Sequence, residues 1–136
     1  MTAEVNGLAL PSSLLRAVDA GRWPPRPSVE ALGAVFPERA EWPEFWTVDE
    51  IGGVNQSWAT ETRAEFVGLR GTEHGLETDR SLLIGQLGPD ALVALSFASR
   101  DDVDPVVMYL TGDPIGTWVR VADSVDDLLQ RLEAGR

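Results

Sequence analysis

The chain has 136 residues, 43% of them hydrophobic, enough for one domain that buries about two-thirds of its unfolded surface. Its 22 acids face 11 bases, all of them arginine, and the net charge of −11 argues against nucleic-acid backbones and anionic membrane surfaces as ligands. Cysteine is absent, which excludes disulfides, thiolate nucleophiles, iron–sulfur clusters and cysteine zinc sites.

A single domain over residues 1–136 is expected, with residues 1–9 as a loose lead-in. Met1 to Asn6 has no basic region, Pro11 breaks the apolar stretch, and no apolar run approaches the roughly 18 residues that span a bilayer. The expected location is the cytoplasm. Pro11 suits a first helical turn, where its missing N–H costs nothing. Leu14, Leu15 and Val18 recur at helical spacing and Gly21 is a stop, so a helix is predicted over about Pro11 to Ala20. Prolines 24, 25 and 27 fix an extended loop. Ser28 can cap a brief helix through Val35, weakened by Gly33, and Trp23, Trp42 and Trp46 are available to pin this irregular third. Thr47-Val48-Asp49-Glu50 is a capping box, followed by Ile51, Val54 and Trp58 at helical spacing. Gly52-Gly53 predicts a short or distorted helix. Residues 60–70 fit strand or helix, and 71–79 read as loop.

From Ser81 onward the pattern is that of strands: 81–86, 90–97, 106–110 and 117–121, with breaks at Leu87-Gly88-Pro89, at the polar turn 99–104 and at 112–116. Connections this short favour antiparallel neighbours. The chain closes on a C-terminal helix over 124–134. Ser124 is its N-cap, Asp126 and Asp127 lie in the first turn, Gly135 is the stop, and Val125, Leu128, Leu129 and Leu132 form one apolar stripe that should dock on the sheet. The fold class is therefore α+β.

The inventory of chemistry is thin. His74 is the only histidine and sits in a loop with no G-x-S-x-G elbow to serve, so it reads as a solvated loop residue. A loop opening at Asp102 fails the calcium pattern, with Val107 where glycine is required and Asp113 where glutamate is. With 22 acids, carboxylate pairs arise by chance and no spacing singles one out. Neither Gly85-x-x-Gly88 nor Gly52-Gly53 has the glycine set of a phosphate loop. The five tryptophans read as packing residues before they read as a groove. Asn55-Gln56-Ser57 is a glycosylation sequon, idle without a secretory signal. No catalytic residue, metal ligand or cofactor is assigned. What remains is binding: the charge leaves a basic protein as the partner class. Asp101, Asp102 and Asp104, the densest exposed charge, are the candidate rim contact, although each taken singly reads first as part of a solubilising turn. Next in line are Asp49, Glu50 and the Glu61–Glu65 stretch.

Several segments together are similar to one family. Leu83-Ile84-Gly85, Asp90 to Leu95, Pro105 to Tyr109 and Trp118 to Leu129 resemble the SUKH superfamily, the Smi/Knr-like group of fungal cell-wall regulators and bacterial immunity proteins. Val121-Ala122-Asp123-Ser124-Val125 with Leu128-Leu129 resembles the family's closing motif, with Val125 in place of the usual aromatic. Leu10-Pro11 with Leu14 resembles its helix start, and Thr47 to Ile51 its mid-chain helix. Gly21 to Trp46 departs from the pattern, with Ala20-Gly21-Arg22 where the family has Asn-Gly-Gly. The resemblance implies a twisted, largely antiparallel sheet of four to six strands with helices packed on it, and no catalysis. It implies a cytoplasmic immunity protein that binds a toxin, many such toxins being basic nucleases. A regulatory or scaffold domain of the same fold, without a toxin partner, is the alternative.

Overall fold

The computed structural model describes residues 3–112 and 115–134. Its first element corrects the expected lead-in. From Glu4 the chain forms a hairpin of β1 (Glu4–Val5) and β2 (Leu8–Ala9), with Val5 opposite Leu8. Asn6 and Gly7 between them have φ of 54° and 78°, the pair of left-handed residues that a type I′ turn requires. Asn-Gly between apolar residues is the sequence signal for this hairpin. The strands are two residues each, too short for alternation to show. Leu8 and Leu10 are buried, and the Asn6 amide donates to the Asn55 carbonyl at 2.8 Å, so the segment is tied down.

The helices follow their caps. Pro11 precedes α1 (Ser12–Asp19), which buries Leu14 and Ala17. The Ser28 hydroxyl accepts from the N–H of Ala31 at 3.1 Å and opens α2 (Val29–Val35). The capping box forms in both directions at Thr47 and Glu50, and α3 (Val48–Trp58) then runs unbroken through Gly52-Gly53, burying Ile51, Asn55 and Trp58. The expected distortion is absent. Residues 60–70 resolve as the short α4 (Ala64–Val67), and a 3-10 turn, Thr78–Arg80, closes the 71–79 loop. Ser124 caps α5 (Val125–Ala134) by accepting from the N–H of Asp127 at 3.0 Å. The stripe Val125, Leu128, Leu129 and Leu132 is buried as predicted. Gly135, its expected stop, lies outside the described residues.

Five strands make the main sheet: β3 (Glu44–Phe45), β4 (Ser81–Gln86), β5 (Leu92–Ser96), β6 (Val106–Gly112) and β7 (Ile115–Ala122), in that order and antiparallel throughout. The α+β class holds. The breaks at 87–89 and 99–104 fall where expected. At 112–116 the strands run through both ends, and Asp113 and Pro114 lie outside the described residues. α3 packs on β4, α5 packs on β6 and β7, and α1 and α2 pack on α5. The interior strand β6 is buried from Val107 to Thr111, which is why its sequence is an apolar run rather than an alternation.

Asn55 joins helix to sheet. Its Nδ2 donates to the carbonyls of Ile51 and Leu83, each at 2.8 Å, and its Oδ1 accepts from the N–H of Leu83 at 2.8 Å. β3 pairs with β4 at Gly85 and Gln86, and the N–H of Trp46 extends the contact to the Ile84 carbonyl at 3.0 Å. At the neighbouring residue towards the start of β4, the Asn55 amide takes both backbone groups of Leu83 and so continues that pairing from a side chain. Four tryptophans pack. The indole N–H of Trp23 donates to the Trp46 carbonyl (2.8 Å), that of Trp46 to Glu44 (2.6 Å), that of Trp58 to the Ser81 hydroxyl (2.9 Å) and that of Trp118 to the Phe66 carbonyl (2.7 Å). Trp42 is the exception, at 68% exposure.

Candidate functional site

The acidic turn after β5 is built as follows. Asp102 Oδ2 accepts from the N–H of Ala98 at 2.9 Å and its Oδ1 from the N–H of Asp104 at 3.1 Å. Both oxygens thus shape the turn. Asp101 and Asp104 are exposed. The neighbouring Arg100 folds away from them, donating to the backbone carbonyls of Asn6 and Asp79. The three aspartates share a surface turn but do not converge on a cavity, and only two have carboxylates turned over to solvent. Among the described residues, no group of three or more histidines or carboxylates could hold a metal ion.

His74 lies in the 71–79 loop. Its backbone carbonyl accepts from the N–H of Trp118 at 3.0 Å, and its Nδ1 is 3.2 Å from the Trp118 carbonyl. Its Nε2 is 3.5 Å from the exposed Glu73 carboxylate. The residue is exposed, as expected of a solvated loop histidine, with one ring nitrogen set against β7. The ring contacts among the described residues are a carbonyl and a carboxylate.

The structure brings together a different set of acids. A cleft of about 510 Å³ opens between the segment after α2, the β4–β5 turn, α4 and the ends of β6 and β7. Its base is apolar, with Leu87 and Leu110 buried and Phe66 half-buried. Glu38, Glu41, Glu65 and Asp90 surround that base, with Arg39 the one guanidinium in the lining. Glu38 is fixed: its carboxylate accepts from the Tyr109 hydroxyl at 2.8 Å and from the N–H of Gly112 at 3.0 Å. Burial, reinforced by the Glu38 carboxylate, pushes the Tyr109 phenol above its ordinary pKa, so it stays a protonated donor. Glu41, Glu65 and Asp90 are exposed and take part in no arginine ion pair among the described residues.

Backbone geometry holds the rim. The β4–β5 turn closes with the N–H of Ala91 on the Gly88 carbonyl at 3.1 Å, and Asp90 takes φ of 61°, where glycine is the easier residue. On the other wall Gly116 has φ of 78°, and a Cβ there would stand 2.8 Å from the Ala64 carbonyl, so α4 reaches β7 only because glycine is present. Beside the cleft, Arg63 stacks on Phe66 with 4.5 Å from its guanidinium carbon to the ring centroid, and it hydrogen-bonds Glu61 at 2.8 and 3.0 Å. Those bonds pull the Glu61 carboxyl down to about 2.

None of these cleft acids was distinguishable by sequence except the Glu61–Glu65 stretch. Glu38, Glu41 and Asp90 come from separate loops, and no spacing links them. No helix among the described residues is long and apolar enough to cross a membrane. Compared with family models, curated proteins and solved structures, the chain matches none.

Proposed function

We propose that this chain is a non-catalytic binding protein whose partner is a basic protein, and that it acts as an immunity protein neutralising a toxin, a basic nuclease being the class that fits its charge. The observation that carries the reading is negative charge that the fold's arginines do not neutralise. Of the 22 acids, six are tied to arginine among the described residues, at Arg16–Asp126, Arg22–Glu133, Arg63–Glu61, Arg70–Glu77, Arg120–Asp123 and Arg131–Asp127. The remainder projects a negative field that speeds encounter with a cationic surface. Support also comes from the resemblance to Smi/Knr-like proteins, whose implied architecture of antiparallel strands and a closing helix is the α+β arrangement of this chain. On this reading the protein works in the cytoplasm, without metal or cofactor.

The test is co-purification from the native host, followed by expression of the recovered protein alone and together with this chain. A basic protein that arrests growth alone and is silenced by co-expression is the expected result. Recovery of a non-toxic partner instead would replace the immunity role with the regulatory one.

A further inference from the structure

We infer that the cleft between the Glu38–Glu41 segment, the β4–β5 turn and the start of β7 is the docking surface, and that its occupant is an arginine-bearing loop of the basic partner; this rests on the function proposed above and names its contact surface. Three observations converge. The lining sets four carboxylates against one guanidinium, and three of the four are exposed and in no close arginine ion pair among the described residues, Glu65 and Asp90 feeling Arg63 beside the cleft only at longer range. The base is apolar, and a large apolar side chain stands open at its edge, Ile115, which lines it at 77% exposure. An exposed apolar anchor beside an apolar pocket is what interface centres are built around. The chain also shows the chemistry in cis, since the Arg63 guanidinium sits over the Phe66 ring while its fork engages Glu61. A planar guanidinium serves both demands at once, stacking its face on an apolar base while its N–H edge bonds carboxylates, whereas a compact ammonium has no plane to stack.

The acidic turn at 101–104 lacks this combination. It has charge and the exposed Val103, but one of its three carboxylates is spent on the turn itself. It is a rim at most.

The experiment uses the full chain, labelled with nitrogen-15, and an alternating Arg-Gly dodecapeptide as probe at low salt. Two triple variants carry the same net charge, −11 + 3 = −8. One is Glu41→Gln, Glu65→Gln, Asp90→Asn, in the cleft. The other is Asp19→Asn, Asp101→Asn, Asp104→Asn, away from it. All six positions are exposed, so folding is not at stake. The expected result is amide shifts centred on Asp90, Ala91, Gly112 and Ile115, with binding about tenfold weaker in the cleft variant and changed less than about twofold in the other. Equal losses in both variants would overturn the cleft and leave the basic-protein reading standing. No binding by the wild type would overturn both. N-acetyl-arginine amide binding as tightly as the peptide would overturn the protein occupant in favour of a small cation.

Discussion

The amide of Asn55 holds both backbone groups of Leu83 at a position without solvent access. Cutting it back to a methyl strands a buried N–H and a buried C=O, at about 1–3 kcal/mol each. Asn55→Ala should therefore lower stability by about 2–6 kcal/mol, read as a shift of the urea midpoint at unchanged slope. An unchanged midpoint would mean that β4 finds another partner there. The Tyr109 hydroxyl has a comparable task, since it joins β6 to the Glu38 segment. Tyr109→Phe removes a hydrogen bond to a charged group, and a loss of about 1.5–3 kcal/mol in chemical denaturation is expected. The variant should also loosen the cleft wall, visible as faster amide exchange at Gly112, whose N–H shares Glu38.

Among the elements, α3 is the most improvable and α5 the least forgiving. A Cβ at Gly52 or Gly53 meets nothing within 4 Å, so neither glycine is needed for packing. The capping box and the buried Ile51, Asn55 and Trp58 hold the helix despite them. Gly53→Ala should raise stability by about 0.5–1 kcal/mol, measurable as a higher melting temperature. Leu129 on α5 is fully buried, and Leu129→Ala should cost about 2–5 kcal/mol, a large share of the stability of a domain this size. The elements legible in the sequence were those whose signal is local: the Ser28, Thr47 and Ser124 caps, the α5 stripe and the four long strands. β3 was not legible, because two residues between Pro43 and Trp46 show no period and form a strand only by pairing with Gly85 and Gln86. The cleft was not legible either. Glu38 and Tyr109 are 71 positions apart, and only the fold makes them neighbours.

Over the whole molecule, two electrostatic effects oppose each other. Hydrogen bonds from Arg63 hold Glu61 near 2, those from Arg70 lower Glu77, and the N–H of Asp123 with Arg131 lowers Asp127. Each folded carboxyl lies below its unfolded value, so the native state binds fewer protons. Their contribution is complete above the ordinary carboxyl range and is lost as pH falls from there toward about 2. Against this, a net charge of −11 repels itself at neutral pH. Added salt at pH 7 should therefore raise the melting temperature by screening that repulsion, while acidification below about pH 4 should lower it. A melting temperature that kept rising from pH 5 to pH 2 would show that the ion pairs contribute nothing.

The burial of Asn55 gives its sequon a use that the bare motif does not suggest. An oligosaccharide can be attached there only before α3 closes on β4, and once attached it bars the closure. Sugar-bearing and folded chains are therefore mutually exclusive products of a race. Driven through a eukaryotic secretory route, the glycosylated fraction would count the molecules that lost it. The ratio of two bands on a gel would then report how fast this sheet is completed inside a cell.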